Sequence, residues 1–221
     1  LEACQCFGDF ARLERYIEGL RQQRFKAANE AELADSLEQL LYLLLFFDLE
    51  PELLHRIAVT YDATARRFYG EPLPRRSDRR AGRLRVGYLS PDLRNHVMGK
   101  MIWQAVEHHD RDRFETFAYS FDAAPDSAIR RRLQGAFEHF VDVRGESFDA
   151  TAQRIAADGI DLLVDLMGYT AAARPELFAL RPAPVQAAFL GYAGTTGADY
   201  MDAIIADAVA IPPADERWYS E

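Results

Sequence analysis

The chain has 221 residues, a net charge of −9 and a hydrophobic fraction of 49%. An acidic balance of that size excludes a non-specific nucleic-acid binder, which needs a basic surface. The apolar content suffices to pack one large domain or two small ones. Lys26 and Lys100 are the only lysines, so arginine carries almost all positive charge, a composition that fits a high-GC bacterial genome. Cys4 and Cys6 are too closely spaced for an unstrained disulfide, and without histidines nearby they make a poor zinc site. Reduced thiols in a cytosolic protein are expected. The longest apolar run, LLYLLLFF at 40–47, is far short of the roughly 20 residues that cross a bilayer, and no signal peptide is visible. A soluble, cytoplasmic protein follows, with neither membrane nor nucleic acid among its partners.

Residues 1–70 read as helices. A first one is predicted around 9–25, using Phe10, Leu13, Ile17 and Leu20. ELADSLEQLLYLLLFFDLE then places Leu33, Leu37, Leu40, Leu41, Leu44 and Leu45 on one stripe at helical spacing. The next helix opens on Pro51, a favoured first-turn residue, and is expected to run to a C-cap at Gly70. Leu53, Leu54, Ile57, Ala58, Tyr61, Ala65 and Phe68 form its apolar face, with His55 in a packing or capping role. The segment 71–83, EPLPRRSDRRAGR, is rich in Pro, Arg and Ser and reads as a solvated linker.

From Leu84 the period changes, and short strands alternate with helices. RLRVGYLS precedes a helix at about 99–109, and FETFAYSF a helix at about 126–137. HFVDV, a helix at about 148–157, IDLLVDLMG, a short helix near 175, VQAAFLGY and MDAIIAD follow. Strands as uniformly apolar as IDLLVDL are covered by helices on both faces. The expected fold is therefore α/β: a Rossmann-like, doubly wound parallel sheet over 84–221, preceded by the helical region. Ligands of such sheets bind at the carboxyl ends of the strands.

Three of those ends carry polar or glycine-rich loops. SPDLRNHV follows VGYL and holds Asp92, Asn95 and His96. A carboxylate within reach of an imidazole fixes its tautomer and raises its basicity, as a general base near neutral pH requires. The alternative is an aspartate capping the next helix and a surface histidine. GYTAAAR, with Tyr169, Thr170 and Arg174, follows LLVDLM; taken alone, Tyr169 suits packing. GYAGTTGADY, with Gly191, Gly194 and Gly197 at period three, follows AAFL. Such glycines let a backbone approach a ligand closely or simply make a tight turn. His108, His109 and His139 read as solvated caps.

Read together, GRLRVGYLSPDLRNHVMGK, RIAADGIDLLVDLMGYTAAARPELFALRPAPVQAAFLGYAGTTGADYMDAIIAD and the closing YSE resemble the O-linked N-acetylglucosamine transferase family, which includes the plant SPINDLY proteins. RPAPVQAAFLGYAGTTGA is the most specific stretch. The resemblance covers 84–221, and the helices at 33–69 look like the segment that joins the family's tetratricopeptide superhelix to its catalytic core. It implies the N-terminal half of a two-domain GT-B glycosyltransferase. The donor would be UDP-GlcNAc, the acceptor a protein or peptide hydroxyl, and the partner a C-terminal half-domain holding most nucleotide contacts. The resemblance implies neither metal nor cofactor. Carried over by motif, His96 and Asp92 would be catalytic, and Asn95, Met98, Lys100, Tyr169, Arg174, Leu190 and Gly191 would bind substrate. Met98, Lys100, Ala171 and Ala193 depart from the animal enzymes. Related proteins use GDP-fucose or UDP-glucose, and a non-catalytic scaffold is the reading of a different class. A dinucleotide-binding domain is disfavoured because the first strand lacks a Gly-rich phosphate turn.

Overall fold

The computed structural model describes residues 15, 17–19, 21–22, 37, 40–74, 76, 81–122 and 125–221. Cys4, Cys6, Phe10, Leu13, Leu20 and Leu33 lie outside them, as do Arg75, Arg79 and Arg80 of the expected linker. The chain forms two compact units. One takes residues up to Phe68 with Gly194–Ala198 and Pro213–Ser220, the other Tyr69–Ala193, Asp199–Pro212 and Glu221.

In the first unit, Leu37, Leu41 and Leu44 of the expected stripe are buried, and residues 40–44 are helical. Helix α1 (Pro51–Ala65) buries Leu53, Ile57, Ala58, Tyr61 and Ala65, one face at helical spacing. It stops short of Gly70. After Ala65 the chain tightens into a 3₁₀ turn, Arg66–Phe68, which rotates Phe68 outward to 58% exposure. Gly197 lies against α1, where an added Cβ would stand 2.5 Å from the Ala58 carbonyl carbon. Here the glycine lets two backbones of the protein meet.

The second unit is built on six parallel strands: β1 (Leu84–Leu89), β2 (Phe114–Ser120), β3 (His139–Asp142), β4 (Leu162–Asp165), β5 (Val185–Phe189) and β6 (Ala203–Ile205). Their order is β3-β2-β1-β4-β5-β6. The direction of winding reverses between β1 and β4, the position where such sheets open a crevice. Helices α2 (Val97–Glu107), α3 (Ala128–Ala136), α4 (Phe148–Asp158) and α5 (Pro175–Ala179) connect the strands. Val86, Tyr88, Ala118 and Val164 on one face of the sheet pack with Met98, Ile102 and Val106 of α2 and Leu133 and Ala136 of α3. On the opposite face the missing side chain of Gly87 leaves room for Tyr119, Leu163 and Ile160, each within 3.3 Å of where a Cβ would stand.

Side-chain caps set the starts of α3 and α4. Ser127 accepts from the Arg130 amide and Ser147 from the Ala150 amide, both at 3.2 Å. Gly159, at φ 68°, ends α4 in the left-handed conformation. The expected linker is anchored where it is described. Arg76 donates to the Gly159 and Ile160 carbonyls and pairs with Asp161, and Arg83 donates to Glu138 and to the Arg111 and Phe114 carbonyls. These two guanidiniums satisfy carbonyls and carboxylates at the strands' starting edge, so neither is a solvated connector residue.

Candidate active site

Parallel pairing fixes the site before any side chain is considered. Leu89 is in register with Asp165, and Asp165 with Ala188, so β1, β4 and β5 end side by side. The loops that follow are in direct contact. The Ser90 hydroxyl donates to Met167 Sδ at 3.3 Å, which ties the first loop to the second. Tyr169 meets Tyr192 edge to face at 5.5 Å, which ties the second to the third. Gly191 lies so close to the Leu166 carbonyl that an added Cβ would stand 1.8 Å from its oxygen. The residue before it, Leu190, holds φ 68°, left-handed backbone that a leucine rarely adopts. That turn leaves its side chain 39% exposed at the rim.

The first loop is a pair of tight turns. Asp92 O accepts from the Arg94 amide and Arg94 O from the His96 amide, each at 2.7 Å. His96 is the N-cap of α2: its Nδ1 accepts from the Met98 amide at 3.3 Å. Asp92 Oδ2 lies 3.5 Å from the same nitrogen. Asp92 is buried, while the His96 side chain is 42% exposed. Its carboxylate is shared: Arg94 donates to Oδ1 from Nε at 3.2 Å and Nη2 at 3.0 Å, and reaches Asp122 Oδ2 at 3.0 Å. Asn95 and Lys100 are exposed beside His96.

Two expected substrate-binding residues sit elsewhere. Met98 is 8% exposed and belongs to the core. Because α2 begins at Val97, the spacing Met98, Ile102, Val106 faces the sheet, while Val97 and Met101 face outward. Tyr169 is 3% exposed and packs on Tyr192, so it shapes the wall from behind. Arg174, just before α5, places its guanidinium 3.9 Å from the Phe121 ring centre and 5.6 Å from that of Phe148. Its Nη1 has no hydrogen-bond partner among the described residues, and burial lowers the affinity of the guanidinium for its proton.

The sequence reading did not single out Arg94, Asp165 or Arg130. Asp165 ends β4, accepts from the Met167 amide at 2.8 Å and the Gly168 amide at 3.0 Å, and so shapes the turn that carries Tyr169. Burial pushes its carboxyl up to about 7, against the pull of those amides. Arg130 is 8% exposed and donates from Nη1 to the Leu93 carbonyl and the Ser120 hydroxyl, both at 3.1 Å. It pins the first loop from α3. Arg130→Met is expected to lower the unfolding free energy by about 2 kcal/mol in urea titrations, because the Leu93 carbonyl loses a charged donor.

The remaining histidines are held by structure. His108 and His109 meet the Gln104 and Ala105 carbonyls through Nδ1 at 2.8 Å, and His109 also meets the Tyr88 hydroxyl at 2.9 Å. His139 is the first residue of β3, stacked on Phe117 at 4.1 Å and 2.8 Å from Glu115 Oε1, so it is more than a solvated cap. His55 lies 3.2 Å from the Ser220 hydroxyl. Among the described residues no group of three or more His, Cys, Asp or Glu is placed to hold a metal ion, and no helix is long and apolar enough to cross a membrane.

Residues 64–221 match the protein family described as Glycosyl transferase family 41. A probable UDP-N-acetylglucosamine-peptide N-acetylglucosaminyltransferase of Arabidopsis thaliana, SEC, is 41% identical over 139 residues, 63% of this chain and 14% of the relative. A UDP-N-acetylglucosamine-peptide N-acetylglucosaminyltransferase of Caenorhabditis elegans is 44% identical over 131 residues, 59% of this chain and 11% of the relative. A solved structure of a Thermobaculum terrenum O-GlcNAc transferase mutant superposes with a TM-score of 0.75 at 32% identity, covering 85% of this chain and 36% of the other. The chain thus spans about a seventh or less of these curated relatives and about a third of the solved chain. With a family match over most of its length and a sheet that opens where the family-like motifs meet, the chain belongs to glycosyltransferase family 41.

Proposed function

We propose that this chain is the N-terminal half of the catalytic region of a protein glycosyltransferase that moves N-acetylglucosamine from UDP-GlcNAc to serine or threonine hydroxyls, with inversion at the anomeric carbon. The observation that carries the reading is the meeting of the three family-like loops at the carboxyl ends of β1, β4 and β5. The partner is a C-terminal half-domain that supplies the nucleotide contacts and stabilises the departing diphosphate. The protein works in the cytoplasm, without metal or cofactor.

Inverting transfer forms a bond from the acceptor oxygen to the anomeric carbon as the bond from that carbon to the phosphate oxygen breaks. The hydroxyl proton must leave, and the reactants must be held in line. His96, exposed and backed by Asp92, is the group at hand for the hydroxyl, with Asn95 and Lys100 beside it. Leu190, displayed by its strained turn, offers an apolar surface to the sugar, and Gly191 sets how far that turn stands from the β4 loop. Arg174 stacks on Phe121 and keeps a buried Nη1 that has no hydrogen-bond partner among the described residues.

His96→Ala is expected to lower kcat for peptide glycosylation by about 10²-fold, with donor KM changing little, read by mass spectrometry of a serine-containing peptide. An unchanged kcat would remove His96 from the reaction. The mass added to the peptide separates N-acetylglucosamine from fucose or glucose. Absence of UDP binding by calorimetry in the full-length protein would favour a scaffold.

A further inference from the structure

Two groups compete for one nitrogen of His96. The Met98 amide donates to Nδ1 at 3.3 Å, while Asp92 Oδ2 stands 3.5 Å from it. A neutral imidazole cannot serve both. Accepting from the amide requires a lone pair on Nδ1 and puts the hydrogen on Nε2, whereas pairing with the carboxylate requires the hydrogen on Nδ1. An unshared buried carboxylate would draw that hydrogen to Nδ1. Asp92 is shared. Arg94 holds its Oδ1 through two donors and is itself held by Asp122 at 3.0 Å. The charged groups bearing on His96 are therefore Asp92 directly, Arg94 and Asp122 behind it, and the exposed Lys100 one turn along α2. Arg130 acts one step away, through the Leu93 carbonyl.

We propose that Arg94 is a positioning residue: by holding the Asp92 carboxylate, it keeps His96 in the Nε2–H tautomer. In that state Nε2 donates to an incoming hydroxyl and cannot take its proton. Base-competent molecules are those whose hydrogen sits on Nδ1, facing Asp92 Oδ2, with the lone pair on Nε2. Arg94 thereby sets how His96 meets the acceptor. Nε2 has no hydrogen-bond partner among the described residues and the side chain is 42% exposed, so either state is open to a substrate. The consequence for transfer rests on the glycosyltransferase reading, but the tautomer does not.

The test is long-range proton–nitrogen NMR of the imidazoles in the full chain, at a pH where His96 is neutral, with its signals assigned by their loss in His96→Gln. Wild type should show Nε2–H as the major form, and a major Nδ1–H form would overturn the proposal without any variant. Arg94→Met should lower the ratio of Nε2–H to Nδ1–H by at least about threefold. Arg94→Gln, neutral but polar, should do the same and serves if the methionine variant misfolds. An unchanged ratio in a variant with an intact amide spectrum would overturn it. If the ratio shifts but the full-length protein, wild type or variant, with its C-terminal half-domain glycosylates no peptide, the transferase reading fails and the positioning role stands.

Discussion

Gly191→Ala is expected to lose about 3 kcal/mol of unfolding free energy, because the added methyl has nowhere to go. Its Cβ would lie 1.8 Å from the Leu166 carbonyl oxygen, 2.5 Å from that carbonyl carbon and 3.1 Å from the Met167 nitrogen, all backbone atoms that no rotamer change can move aside. The neighbours on either side are equally fixed. Leu190 already occupies left-handed backbone, and the Gly191 amide donates to the Phe189 carbonyl at 2.8 Å. The chain can relieve the clash only by lifting the loop off β4, which displaces Leu190 and parts Tyr192 from Tyr169. Urea unfolding gives the stability, with Gly135→Ala as the matched control: an added Cβ there has nothing within 4 Å. A variant as stable as wild type would show that the close approach of the two loops is not required.

How much of this was readable beforehand depends on the range of the interaction. The alternation of apolar runs placed every strand and helix of the second unit within a few residues. The rule for parallel sheets then brought His96, Arg174, Leu190 and Gly191 to one edge. Errors of register came from local chemistry. The helix expected at about 99–109 covers Val97–Glu107 because His96 caps it from its own side chain, and that shift of two residues is what turns Met98 inward. MDAIIAD shrinks to Ala203–Ile205 because it pairs with β5 alone.

Contacts across long stretches of chain left no local signal. Arg130 reaches the Leu93 carbonyl across 37 residues; its spacing from Leu133 and Phe137 puts it on the inward face of α3, but an arginine there reads as a solvated residue. The Asp92–His96 spacing of four was legible, but its meaning was altered by Arg94, two residues from each, and by Asp122 at the end of the neighbouring strand. The period-three glycines of the third loop fit either a backbone that approaches a ligand or a plain tight turn. Gly191 and Gly197 instead make room for Leu166 and Ala58, because a close-packed interior puts backbone against backbone wherever a side chain is missing.

Asp165 should make stability fall as pH rises, the reverse of an ion-paired carboxylate. Its carboxyl is raised from 3.8 to about 7 by burial, so the folded chain holds a proton that the unfolded chain has released throughout that window. Stability contributed by the protonated form is complete below pH 3.8, declines as pH climbs toward 7, and is gone above it. The gap corresponds to about 4 kcal/mol. Glu115 and Asp142, whose carboxyls are held below their ordinary values by His139 with Arg85 and by Arg144 respectively, push the wild-type curve the other way at low pH. The contribution of Asp165 is therefore read as a difference. Asp165→Asn stays neutral at every pH, keeps one acceptor for the Met167 or Gly168 amide and turns its own amide toward the other. It should be clearly less stable than wild type at low pH, and that deficit should shrink by about 4 kcal/mol as pH rises through the window. Urea titrations of both proteins across the range decide it. A deficit that stays constant would mean that the carboxyl remains charged throughout, held by the two amides strongly enough to cancel its burial, and that the floor of the site carries a fixed negative charge at neutral pH.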